Sequence, residues 1–394
     1  MVEDRRERSI MADMRTVVVS LYQSYPPSSG AASVAFNVAK HLGGKKYLVQ
    51  LSEGGPDEII DGGVHLIHIK NPLKPRIRKA LSLVANFSVI VKRIEEIGPE
   101  IVFIEGSSWA FYHLVLFALI KRRGLPSRVC YHTHNVDFLL RKQTNNPLVA
   151  LLSRWSENQL LKRCDLSFAV SEADASQFHR IYRTKPRILP NGVDIERFRG
   201  VAESRIQEVK AKYRLNSPIV LFMGLSEYPP NKEAVDFLVL EVFPEVVRKS
   251  PGAQLAVIGG KIGHQREWLI NPGSLPCEEV PPFIKACDVC VAPIFSGSGT
   301  RLKILEYMAA ERPVISSPKG IEGLDLEDGR NVLIASGPDE FSACILSILS
   351  DGAKARRVAK EGLRAVQEKF TWPHIMDIFK GYLADLQERD RGRT

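Results

Sequence analysis

No stretch of this 394-residue chain offers about 20 uninterrupted apolar residues, the length a membrane-spanning helix needs. The most apolar segment, 101–120, is broken by Glu105, Gly106, Ser107, Ser108 and His113, so no transmembrane helix is expected. Cysteine is sparse. Six residues (Cys130, Cys164, Cys277, Cys287, Cys290 and Cys344) are scattered along the sequence, which excludes a disulfide scaffold and predicts reduced thiols in a cytoplasmic setting. Cys287 and Cys290 form a Cys-x-x-Cys, but no second pair or histidine follows at zinc spacing. They are expected to be buried thiols. The opening residues, 1–14, are charged and lack an apolar centre, so they read as a flexible lead-in and not a secretory signal. Short repeats and low-complexity tracts are absent as well.

What is present is the composition of a folded protein, with 44% hydrophobic and 25% charged residues. The length predicts two domains, since single cores stop growing at roughly 250–300 residues. The formal charge of +9 is unevenly spread. Residues 1–200 hold 29 basic and 19 acidic side chains, and the remainder hold 25 and 26. An anionic partner is therefore expected on the N-terminal half.

Strands and helices alternate. The β-branched run 16–21 (TVVVSL) predicts a strand buried on both faces of a parallel sheet. A Pro/Ser/Gly turn and a helix over 31–42 follow it. The same cycle recurs with strands at 101–104, 128–131 and 166–170, and with helices over 108–122 and 172–182. A second series begins after a charged, helix-like segment at 199–215. Its strands are expected at 218–223, 253–258, 289–293, 313–316 and 332–334, and its helices over 232–249, 282–286 and 300–310, with a helical tail from 338. This is α/β architecture: two Rossmann-like, doubly wound domains. The expected limits are 15–199, a linker at 200–216, a second domain over 217–370, and a C-terminal helix over 371–394.

The richest segment is 292–314, APIFSGSGTRLKILEYMAAERPV. A strand ends, a small-residue loop follows, and a helix is expected from Thr300. Free amides at such a helix start form an anion site. Gly297 and Gly299 let backbone approach a ligand, and Arg301 and Lys303 supply positive charge. The spacing is neither a Walker A loop nor a dinucleotide fingerprint, because Leu302 stands where the third glycine belongs. Glu306 lies one turn beyond Lys303. It reads either as an acceptor for paired sugar hydroxyls or as half of a solvated Glu–Lys pair.

These residues carry a resemblance. Segment 291–314 is similar to the donor-binding segment of glycosyltransferase family 4, the group 1 transferases. Four further stretches resemble that family in the same order: 28–42 (SSGAASVAFNVAKHL), 131–137 (YHTHNVD), 188–198 (ILPNGVDIERF) and 221–235 (LFMGLSEYPPNKEAV). The resemblance implies the GT-B fold, with the two domains facing across a cleft and the C-terminal helix returning toward the first. It also implies a retaining glycosyltransferase that moves a sugar from a nucleotide-diphosphate sugar, with no tightly bound cofactor and no required metal. Arg301 and Lys303 would meet the diphosphate and Glu306 the ribose. The amides of Ser298, Gly299 and Thr300, beside Gly297, would hold sugar or phosphate. His134 would lie against the donor sugar, with His132 as a less favoured alternative, and Gly30 would approach the phosphates. Two positions depart from the family pattern. Ser298 stands where the family carries its first glutamate, and Leu225 where many members carry an arginine.

The acceptor is expected to be a glycan, a lipid-linked or a small molecule, as in polysaccharide biosynthesis. Lys70, Lys74, Arg76, Arg78 and Lys79 precede an apolar helix over 80–91 that ends in Lys92 and Arg93. This basic segment reads equally as a face for an anionic membrane and as solvated helix ends. The expected location is cytoplasmic, with peripheral membrane association a second option. A nucleotide-sugar 2-epimerase on the same fold is the first alternative function. A non-enzymatic anion or nucleic-acid binder is the second, although no nucleic-acid motif accompanies the charge.

Overall fold

The computed structural model describes residues 14–27, 29–60, 62–71, 76–106, 109–142, 146–216 and 218–391, with backbone alone for 76–84. The lead-in before Met14, Ser28, Lys74 and the side chains of Arg76, Arg78 and Lys79 therefore lie outside the described residues. So do Ser107 and Ser108. The chain forms two compact units, residues 1–190 with 376–394, and residues 191–375. Segment 200–216 holds the helix Glu203–Tyr213 and belongs to the second unit.

The first unit is built on eight strands: β1 (Arg15–Ser20), β2 (Lys45–Ser52), β3 (Glu58–Ile60), β4 (Val64–Lys70), β5 (Ile101–Gly106), β6 (Arg128–Thr133), β7 (Leu166–Ala169) and β8 (Arg187–Ile188). Their order is β3-β4-β2-β1-β5-β6-β7-β8. Every pair is parallel except β3 with β4. The order reverses between β1 and β5, the switch point where doubly wound sheets bind ligands. Helices on both faces explain the unbroken apolar runs: Val17, Val18 and Val19 of β1 are all buried, as is the whole of β5. The last helix, Trp372–Arg391, joins this unit from Met376 onward. Its Phe379 ring meets Phe103 and Phe168 at 5.3 and 5.7 Å, and Tyr382 donates to the Ile188 carbonyl at 3.2 Å.

The second unit has six parallel strands: β9 (Ile219–Met223), β10 (Gln254–Ile258), β11 (Leu269–Gly273), β12 (Val289–Ala292), β13 (Val314–Ser316) and β14 (Leu333–Ile334). Their order, β11-β10-β9-β12-β13-β14, switches between β9 and β12. The single helix expected over 232–249 is instead Pro229–Phe237, a π-helical turn at Leu238–Val242, and Phe243–Lys249. Pro244 explains the break. Its missing N–H cannot continue the ladder, and the preceding Phe243 amide bonds to Leu238, five residues back. Cys287 and Cys290 are fully buried, and burial pushes both thiols upward.

Candidate functional site

The glycine loop leaves β12 at Ala292 and the following helix runs Leu302–Ala309. That helix starts two residues later than expected, because the loop spends Gly297 and Gly299 in left-handed conformations, φ 92° and 79°. Arg301 precedes the first turn, and its guanidinium folds back onto the loop. It donates to the carbonyls of Ser298 (2.7 Å), Ser296 (3.3 Å) and Gly299. Arg301 therefore shapes the loop that it was expected only to charge. Gly297 has a φ that favours glycine, and a Cβ there would make a tight 3.1 Å contact with the Tyr228 hydroxyl.

Two asparagines distant in sequence brace the segment. Asn191 Nδ2 donates to Thr300 Oγ1 at 2.7 Å, while its buried Oδ1 has no partner. Asn231 Oδ1 accepts from Lys303 Nζ at 2.8 Å and its Nδ2 donates to the Leu225 carbonyl at 3.0 Å. Lys303 Nζ also sits 4.3 Å from the centre of the Phe222 ring. Burial, with Arg301 nearby, lowers the Lys303 amine to about 7, and Glu306 pulls the other way. Burial raises the Glu306 carboxyl, opposed by Arg197 and Lys303. Arg197 reaches it across 3.8 Å. Glu306 therefore does not stand on an open helix face, its side chain being 21% exposed. It is a half-shielded carboxylate with a cation beside it.

In the first unit, Gly30 opens the helix Gly30–His41, capped by Ser29, whose hydroxyl accepts from the Ala32 amide at 3.2 Å. His134 follows β6, and its amide donates to the Gly106 carbonyl at 3.1 Å. Its Nε2 meets Glu105 Oε2 in a short contact. Glu105 is completely buried and also meets His132 Nδ1 at 3.2 and 3.3 Å. Nε2 of His132 faces the Leu189 carbonyl at 3.1 Å. Both ring nitrogens of His132 thus face oxygens. Burial pushes the Glu105 carboxyl up, but the two imidazoles outweigh it and hold it at about 2. His132 is therefore a buried brace, and His134 is the ring nearer the surface. Among the described residues, these three alone place three metal-ligating atoms within 4.8 Å of one another. The contacts between them are already filled as hydrogen bonds.

The sequence reading missed Glu105, Asn191, Arg197 and Asn231 as working parts of these clusters. Glu105 had a visible signal, a carboxylate inside an otherwise buried strand. The asparagines had none.

Residues 28–197 match the sequence model described as Glycosyltransferase Family 4, and 217–351 match that of Glycosyl transferases group 1. Phosphatidyl-myo-inositol mannosyltransferase of Mycobacterium tuberculosis is 26% identical over 198 residues, which is 47% of this chain and 50% of that protein. The matched stretches span about half the length of the first curated relatives. Among solved structures, sucrose-phosphate synthase from Thermosynechococcus elongatus superposes with a TM-score of 0.75 at 17% identity, covering 97% of this chain and all of that one. HepE of Anabaena, in complex with UDP and glucose, gives 0.73 at 15% identity, covering 94% and all of that chain. With two doubly wound sheets and these matches in sequence order, the chain belongs to glycosyltransferase family 4, the group 1 glycosyl transferases, and has the GT-B fold.

Proposed function

We propose that the protein is a retaining glycosyltransferase that uses a nucleotide-diphosphate sugar, with a glycan or lipid-linked acceptor, in polysaccharide biosynthesis. The observation that carries this reading is the left-handed glycine loop 297–299, followed on one helix by a half-buried Lys303 and a partly shielded Glu306. A relative named for mannosyl transfer to phosphatidyl-myo-inositol and a fold neighbour holding UDP and glucose support it.

In this reaction the bond between the anomeric carbon and the diphosphate oxygen breaks, and negative charge grows on the leaving group. Loop amides and a cation aimed at that charge lower the barrier without covalent participation by the protein. Lys303 is the cation we assign to the diphosphate, and Glu306 accepts the ribose hydroxyls. Arg301 holds the loop amides in place through the carbonyls it binds. The acceptor oxygen attacks the same face of the sugar, and its proton passes to the departing phosphate oxygen. We assign His134 to the donor sugar and Gly30 to the phosphates. Glu105 then acts as a positioning residue. Its contact with His134 Nε2 fixes the orientation of that ring. No metal is assigned a role.

The test is incubation with UDP-, GDP- and ADP-sugars, following products by NMR. Transfer or slow donor hydrolysis with the anomeric configuration kept is expected, and Lys303→Ala should abolish it. Free 2-epimer would favour the epimerase instead, and failure to bind any nucleotide would overturn the reading.

A further inference from the structure

Over residues 147–155, helix Pro147–Arg163 turns its leucines and tryptophan outward. Its buried residues are Ala150, Ser153, Ser156, Glu157, Leu160 and Leu161. Its exposed side carries Leu148, Leu151, Leu152 and Trp155, at 77, 62, 41 and 52% exposure. The spacing i, i+3, i+4, i+7 puts these four in one narrow stripe about 10 Å long. The orientation is firmly fixed. Asn146 caps the first turn by accepting from the Val149 amide at 3.2 Å. On the buried side, Glu157 accepts from the amides of Asp137 (2.6 Å) and Phe138 (3.0 Å) and from the Tyr182 hydroxyl (2.5 Å). Rolling the leucines inward would break all three bonds to a buried carboxyl, so the apolar stripe faces water while a carboxyl lies in the interior. Contiguous apolar surface of this kind marks a place where something else binds.

The charges indicate what binds there. Lys162 and Arg163 continue the same stripe at the helix C-terminus, Arg154 flanks it, and all three are exposed. Lys142, at the end of the preceding helix Asp137–Lys142, is exposed too. The helix has one acid, Glu157, and it is buried. A second copy docked through this face would bring basic ends together with no acid to pair them. An anionic lipid surface offers acyl chains to the leucines, an interface to the tryptophan indole, and phosphates to the lysine and arginine heads.

We propose that helix Pro147–Arg163 is a docking face for anionic membrane. This adds to the basic segment around residues 70–93 a stripe that the charge count did not indicate. It deepens the lipid-linked acceptor of the proposed function and rests on that reading for its purpose, while the docking is tested separately.

The full chain is floated with vesicles of phosphatidylcholine alone and of phosphatidylcholine with phosphatidylglycerol. Wild type is expected to float with the anionic vesicles only. The double variant Leu151→Ser with Leu152→Ser should lose on the order of tenfold or more in partitioning. Lys162→Ser with Arg163→Ser should lose the preference for anionic lipid. Both variants should keep the wild-type melting temperature and the hydrolysis rate of a soluble nucleotide sugar, because none of these residues belongs to the donor clusters. Absence of flotation, or equal flotation of wild type and both variants, overturns the proposal. A dimer in light scattering that the leucine variant dissolves, without vesicle binding, assigns the face to a second copy and overturns it as well. Flotation as expected without any nucleotide binding leaves the docking face standing and removes the proposed function.

Discussion

Lys303 shows how one half-buried amine links folding, pH and ligand. Its folded value of about 7 lies below the ordinary 10.5, so between those two values the unfolded chain holds a proton that the folded chain does not. Stability therefore rises as pH climbs from about 7 toward 10.5, and the unfavourable contribution is complete below 7. A bound diphosphate returns the charge to the amine, so binding takes up a proton. Calorimetric titration with nucleotide diphosphates should show affinity falling as pH rises above about 7, by up to about tenfold per unit. Lys303→Met should flatten that slope, and an unchanged slope in the variant would remove Lys303 from the diphosphate. Glu105 carries the opposite sign. Held at about 2 against an ordinary 4.5, it contributes fully above about pH 4.5, and that contribution fades as pH falls toward 2. Glu105→Gln leaves the neighbouring imidazoles without their carboxylate and should cost about 3 kcal/mol or more in denaturant unfolding at neutral pH. Its kcat should fall much more than its nucleotide KM changes, which a purely structural role would not produce.

At the scale of elements, the glycine loop is the part that conformation alone dictates. Gly297→Ala forces φ 92° on an L-residue and pushes Cβ to 3.1 Å from the Tyr228 hydroxyl. About 1–2 kcal/mol of strain is expected, together with weaker nucleotide binding in calorimetry. Gly263→Ala, where nothing lies within 4 Å of the added carbon, is the matched control and should bind as wild type. This loop was legible in the sequence because a strand, two glycines and a helix are local signals. Its braces were not, since Asn191 stands 109 residues from Thr300 and Asn231 72 residues from Lys303. The strands β1, β5, β9 and β12 read clearly as unbroken apolar runs, whereas β4 interleaves His65 and His68 among its apolar residues. Helix Pro147–Arg163 was hidden for a physical reason. With Leu148, Leu151 and Leu152 outside but Leu160 and Leu161 inside beside Ser153, Ser156 and Glu157, its apolar pattern has no single face toward the core for periodicity to find.

At the scale of the molecule, the two units carry different burdens, and hydrogen exchange can separate them. The loop, Lys303, Glu306 and their braces Asn191, Arg197 and Asn231 all belong to residues 191–375. Within the first unit, the His134–Glu105–His132 set is held by β5, β6 and Leu189. A nucleotide diphosphate without its sugar should act mainly through the second unit, with added protection in the first limited to the amides next to Gly30. At a hundredfold excess over its Kd it should add about 2.7 kcal/mol to the second unit's stability. Exchange should slow at 219–231 and 293–306, while amides of β5 and β6 keep their free-protein rates. The intact nucleotide sugar should add protection around residues 132–136 if His134 attends the sugar. Equal protection throughout both units by the diphosphate alone would remove the assignment of its main binding groups to residues 191–375. Protection confined to the first unit would reverse the assignment of donor and acceptor roles.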